Sequence, residues 1–140
     1  MPKDRLGDVD YEALSNLRYT LRRFMDFSTS AAQREGLPAQ QHQALLTIRG
    51  HREQHPVTVG KLAERLLIAP HSATELVDRL VSAGYVTPHV HPADRRRQTL
   101  ALTEKADAVL QRLSAIHLTE IREMAPQLID ILKSFGEKQD

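Results

Sequence analysis

At Gly84 the hydrophobic period of the chain changes from that of a helix to that of a strand, and no other feature of the 140-residue sequence constrains the fold as tightly. Before it, Ala73, Leu76, Val77 and Leu80 recur at three and four, the spacing of one helix face. After it, Tyr85–Val90 and Gln98–Leu102 read as β-like runs, separated by the turn-forming series His91, Pro92, Ala93 and Asp94. An antiparallel hairpin with a basic tip at Arg95, Arg96 and Arg97 is therefore expected. Pro88 lacks a backbone N–H to give to a neighbour, so its strand is expected at the edge.

The rest of the chain is helical in pattern. From Val9 to Ala32, Tyr11, Leu14, Leu17, Leu21, Phe24 and Met25 follow helical spacing, and Gly36 closes that helix. Leu37-Pro38 opens a second helix, with Leu45, Leu46 and Ile48 as its buried side, and Gly50 to Pro56 form a polar loop. Thr58 is the expected N-cap of a short helix to Leu67, and Ala69-Pro70 starts another that Gly84 stops in a left-handed cap. Thr103 caps a long fifth helix running to Ala125, and Pro126 is expected to start a last short one carrying Leu128, Leu132 and Phe135.

Composition removes several classes of function. With 41% hydrophobic and 26% charged residues the chain is ordinary for one globular domain, and no stretch approaches the ~18 apolar residues of a membrane span. No membrane partner is expected. The N-terminal residues carry mixed charges and no apolar segment, so residues 1–8 are read as a short polar tail rather than a secretory signal, and a cytoplasmic location is expected. With no cysteine there are no disulfides, thiolate metal sites or thiol nucleophiles. No Gly-rich phosphate loop, GxSxG elbow, HExxH pair or recognisable carboxylate pair is present, so no catalytic residue, enzyme activity or cofactor is expected. The net charge of +1 conceals an asymmetry: residues 58–100 are the most basic third, with Arg95–Arg97 at their centre. A concentrated positive field points to an anionic partner.

Two short helices joined by a tight turn, then a hairpin tipped with arginines, make a winged helix-turn-helix, a shape that places one helix in the major groove of duplex DNA and the hairpin beside it. The expected class is all-α with a small β-hairpin wing. The first helix should be ~36 Å long and the fifth ~34 Å, against a radius of gyration near ~14 Å for a compact chain of this size. Their apolar sides exceed what the short elements can cover, so a homodimer is expected through them, with Leu14, Leu17, Leu128, Leu132 and Phe135 at the interface.

VTVGKLAERLLIAPHSATELVDRLVSAGYV followed by HPADRRRQTLALTEKA resembles the MarR (multiple-antibiotic-resistance regulator) family of bacterial transcription regulators, with LVDRL…GYV and DRR…LALT as its specific signals. The resemblance implies a single domain over residues 9–140: a winged core at about 38–102 and dimerisation helices at about 9–35 and 103–136. It implies sequence-specific binding of double-stranded DNA, most simply as a repressor at a palindromic operator. It places His71, Ser72, Thr74 and Glu75 on the DNA-facing side of the recognition helix and Arg79 toward a phosphate. In the wing it has Asp94 orient Arg96 into the minor groove while Arg95 and Arg97 meet phosphates. Glu75, where the family often has arginine, would accept from a cytosine amino group. The resemblance also implies release by a small, aromatic, anionic ligand, for which Arg18, Phe24, His42, Leu46 and His117 are the expected contacts. The alternative is a winged-helix module for dimerisation or protein binding without specific DNA recognition.

The remaining histidines divide by context. His51 and His55 are four apart but beside Gly50 and Pro56, in a loop rather than on a helix face, so no metal site is expected there. His89 and His91 project on one side of a strand, where phosphate contact is the expectation.

Overall fold

The computed structural model describes residues 5–52, 54–91 and 93–136. Parts of the expected polar tail, loop and hairpin turn, at residues 1–4, Glu53 and Pro92, lie outside the described residues. Five helices and two strands follow one another as α1 (Asp8–Arg34), α2 (Ala39–Arg49), α3 (Val59–Leu66), α4 (Pro70–Ser82), β1 (Val86–His91), β2 (Asp94–Leu102) and α5 (Glu104–Gly136). They form two compact bodies, one of residues 32–114 and one of the described residues on either side of that span.

In the central body the helix ends are set by the residues expected to set them. The Thr58 hydroxyl accepts from the Lys61 N–H at 3.1 Å and caps α3. Pro70 occupies the first turn of α4, where a missing N–H costs no helical bond. Gly84 follows α4 at φ +81°, and the Tyr85 N–H donates back to the Leu80 carbonyl at 2.9 Å. Thr103 links two elements: its hydroxyl donates to the Gly84 carbonyl at 2.6 Å and accepts from the Ala106 N–H at 3.3 Å, fixing the start of α5 to the end of α4. The core is aliphatic, and Leu37, Leu45, Leu62, Leu80, Leu113 and Val57 are its largest fully buried side chains. Arg112 is paired with Glu35 at 3.2 Å, and that hydrogen bond and charge raise the guanidinium pKa above its usual value.

β1 pairs antiparallel with β2, from Val86 opposite Leu102 to Val90 opposite Gln98. On its other side β2 receives Val57, whose carbonyl accepts from the Leu100 N–H at 2.8 Å, and Thr58 bridges Thr99. β1 with Pro88 is thus the edge strand. The hairpin is anchored to the helix-turn-helix by backbone bonds, so the wing is held by the start of the motif it accompanies.

Three expectations require correction. The fifth helix does not end at Ala125: α5 runs unbroken through Pro126 to Gly136. An interior proline removes a helical hydrogen bond and costs about 3 kcal/mol. Met124, Leu128, Ile131 and Phe135 nevertheless keep the spacing of Leu110, Leu113, His117 and Ile121, so a single apolar stripe passes through the proline. Leu46 is half exposed rather than buried, because the inward face of α2 is His42, Ala44, Leu45 and Ile48. Arg95–Arg97 belong to β2 rather than to a loop before it.

The terminal body consists of most of α1 with the C-terminal part of α5. His117 sits in it at 9% exposure, hydrogen-bonded through Nε2 to the Ser28 hydroxyl at 2.8 Å and edge-on to Phe24 and Phe27. Around this buried centre, α1 and α5 leave large apolar side chains at the surface, among them Leu14, Leu21, Ile121, Leu132 and Phe135.

Candidate nucleic-acid interface

The wing owes its chemistry to a register jump. Val90 pairs with Gln98 and the next residue, His91, pairs with Asp94, which leaves Arg95, Arg96 and Arg97 bulged out of the ladder. All three are exposed. Asp94 organises the bulge: its Oδ1 accepts from the Arg96 N–H at 3.0 Å and from Arg96 Nε at 3.4 Å. The first contact is an Asx-type turn and the second points the guanidinium, whose side chain remains 92% exposed. A planar donor fork is presented to solvent with its stem held from below.

α4 buries Ala73, Leu76, Val77 and Leu80 and exposes His71, Thr74, Glu75, Asp78 and Arg79, while Ser72 is half-buried. The buried set fixes the rotation of the helix, so the exposed set follows from sequence spacing alone. The Thr74 hydroxyl donates to the Pro70 carbonyl at 3.2 Å, a local bond that leaves its acceptor side available. Asp78 is not among the expected site residues. It lies seven residues after His71, a spacing that could have found it, and with Glu75 it makes the outer face of α4 more acidic than basic.

Thr74, Arg95, Arg96 and Arg97 line one cleft of about 380 Å³ together with Thr58 at the head of α3. The fold thus brings the wing arginines to α4 at Thr74. His71, Ser72, Glu75 and Arg79 lie on α4 but do not line this cleft.

The expected ligand contacts fall in both bodies. Arg18 is exposed, Phe24 half-buried and His117 buried in the terminal body; His42, at 4% exposure, and the exposed Leu46 belong to the central one. Of the expected interface residues, Leu14, Leu132 and Phe135 are exposed and Leu17 and Leu128 half-buried. Among the described residues no group of three or more His, Asp or Glu is placed to hold a metal ion, and no helix is long and apolar enough to cross a membrane.

Helix, turn, helix and an arginine-bearing hairpin bonded to the first helix define a winged helix-turn-helix protein. Residues 35–97, which hold the helix-turn-helix and the wing as far as Arg97, match the MarR family model. The sequence is 32% identical over 90 residues to an uncharacterised HTH-type transcriptional regulator, YcgE of Bacillus subtilis, covering 61% of this chain and 58% of that one. The chain spans about half the length of the curated relatives it matches, 58% and 49% in two cases. RV1404 of Mycobacterium tuberculosis has a similar structure, with TM-score 0.70 and 26% identity over 96% of this chain and 99% of that one. AbsC, a MarR family transcriptional regulator from Streptomyces coelicolor, superposes with TM-score 0.73 at 18% identity, covering 90% and 84%.

Proposed function

We propose that this chain is a sequence-specific regulator of transcription that binds double-stranded DNA as a cytoplasmic homodimer, represses at a palindromic operator, and is released by a small aromatic anion. The observation that carries the DNA-binding part is the Asp94-held Arg96, displayed on a bulge beside Thr74 of α4. A guanidinium presented in this way suits the narrow, electronegative minor groove next to the major groove that α4 enters. In this reading His71, Ser72, Thr74 and Glu75 meet base edges, and Arg79, Arg95 and Arg97 meet phosphates. The family match supports a regulator rather than an enzyme.

The homodimer is supported by the apolar side chains that α1 and α5 leave exposed, Leu132 at 51% and Phe135 at 42% among them. Two recognition helices related by a two-fold axis require half-sites about one helical turn apart. The repressor role and the effector rest on the family resemblance alone. One observation favours the rival reading of a protein-binding winged helix: Glu75 and Asp78 on the exposed face of α4 would repel phosphates. Enrichment of duplexes from a random pool by the full chain decides between them. A shared, roughly two-fold-symmetric sequence supports the proposal, and no enrichment over bulk DNA removes it.

A further inference from the structure

His91, expected to meet a phosphate, is joined beside the wing by two histidines of the α2–α3 loop, whereas His89 does not line the same cleft. His51 and His55, from the loop after α2, line a cleft of about 290 Å³ with Lys61 of α3, His91 of β1 and Arg97 of β2. Among the described residues no carboxylate lines it. Thr58 and Arg97 line both this cleft and the one holding Arg95 and Arg96, so the two adjoin at the head of α3. In a helix-turn-helix the first helix crosses the DNA backbone, which puts Lys61 on the path of a phosphodiester strand. We infer that this histidine-lined cleft, built by the α2–α3 loop and the start of α3 against the flank of the wing, is a second contact for a DNA backbone phosphate, and that its hold on the phosphate is proton-linked. The inference rests on the DNA-binding function proposed above.

The hydrogen bonds of the histidines say which of them needs the proton. His51 Nδ1 lies 2.7 Å from the Thr47 carbonyl, which can only accept, so Nδ1 carries a hydrogen and the neutral ring offers a lone pair at Nε2. Facing a phosphate, that lone pair is repelled; after protonation the same nitrogen is a charged donor. His91 is the opposite case. Its Nδ1 accepts from the Ala93 N–H at 3.0 Å, so its neutral ring already carries a hydrogen on Nε2 and can donate to a phosphate without taking up a proton. Proton linkage is therefore assigned to His51, with His55 beside it, and constant donation to His91, Lys61 and Arg97.

The other ionisable groups around the cleft do not reverse this assignment. His51 also lines a neighbouring cavity with Arg49, Arg52, His89, Glu104 and Asp107, in which Arg49 and Asp107 are paired at 3.4 Å. Lys61 makes a 3.5 Å contact with Glu64, an exposed pair that competes weakly with a phosphate, and Asp94 is committed to Arg96. His71 on α4 and His89 on β1 are left in place in the variants below, so their contribution is common to parent and variant.

The test is binding of the full chain to a duplex it has itself enriched, by fluorescence anisotropy at fixed salt. The parent is expected to bind roughly fivefold or more tightly at about pH 6 than at about pH 8, the range in which histidine changes charge. H51Q/H55Q should reduce that ratio to under about twofold, because glutamine does not titrate. As a second variant less exposed to folding effects, K61Q should keep the pH ratio and lower the slope of log affinity against log salt by about 0.9 for each phosphate no longer neutralised. A parent-like pH ratio in H51Q/H55Q, or a parent-like salt slope in K61Q, overturns the inference while leaving DNA binding in place. A parent that enriches no duplex removes the proposed function and this inference with it.

Discussion

Replacing Asp94 by alanine should leave the fold nearly intact and still weaken DNA binding, and the two effects can be separated. Asp94 Oδ1 holds the Arg96 N–H at 3.0 Å and Nε at 3.4 Å, with the Arg96 side chain 92% exposed. An ion pair that exposed contributes about 0–1 kcal/mol and the turn hydrogen bond about 1 kcal/mol, so the folded state should lose no more than about 2 kcal/mol. In the complex the cost arises differently. Without Asp94 the Arg96 side chain must be ordered when DNA binds, at about 0.5–1.5 kcal/mol for each wing. Two wings in a dimer give about 1–3 kcal/mol, roughly a 5–150-fold loss of affinity. Pure electrostatics predicts the opposite sign, since D94A removes a negative charge beside the phosphates. D94N separates these effects by keeping an oxygen acceptor for the Arg96 N–H without the charge, and it should lose less affinity than D94A. The assay is a double-mutant cycle by anisotropy on an enriched duplex: D94A should cost nothing further in an R96A background. An equal loss in both backgrounds, or tighter binding by D94A, would refute the claim that Asp94 acts by positioning Arg96.

Leu132→Asp should convert the protein from dimer to monomer at micromolar concentration in light scattering, because it puts a charge into the apolar surface left by α5. Gly84→Ala should destabilise by about 1 kcal/mol or more in urea titrations through backbone strain alone, since an added Cβ meets nothing nearer than Lys105 Cδ at 3.9 Å. Leu67 is the converse case, at φ +58° and 92% exposed, so Leu67→Gly should raise stability by about 0.5–1 kcal/mol. Arg112, whose pKa is raised by Glu35, contributes stability that is present below its ordinary value and lost only as pH rises above it. The drop in melting temperature caused by R112M should therefore be the same at about pH 7 and about pH 9, where guanidinium remains charged.

What could be read in the sequence was what repeats or what a single residue type compels. The caps at Thr58 and Thr103, the left-handed Gly84 and the buried set of α4 follow from spacing and backbone chemistry, and all stand in the structure. Leu45 and Leu46 show where the pattern is ambiguous. Only one of the two faces inward, and the inward row of His42, Ala44, Leu45 and Ile48 includes a histidine that hydropathy counts as polar. Pro126 misleads, because the chemistry that usually ends a helix is local while the apolar stripe crossing it is not. Three successive arginines look like loop by composition, but the ladder hydrogen bonds that make them a bulge depend on a partner strand. The cleft of His51, His55 and His91 joins residues 40 positions apart, and no local signal in either segment points to the other.

Sequence-selective DNA binding by the full chain is tested most directly by its salt dependence. Affinity for an enriched duplex and for a scrambled duplex of equal length should be measured across a salt series. A dimer presenting Arg95, Arg97 and Lys61 twice should contact about six phosphates or more, giving log affinity a slope of about −5 or steeper against log salt. The enriched duplex should be preferred by about 10³-fold or more, the lower bound for a specific site. Equal affinity for both duplexes, or a slope near zero, would contradict the reading of this winged helix as a sequence-specific DNA-binding regulator.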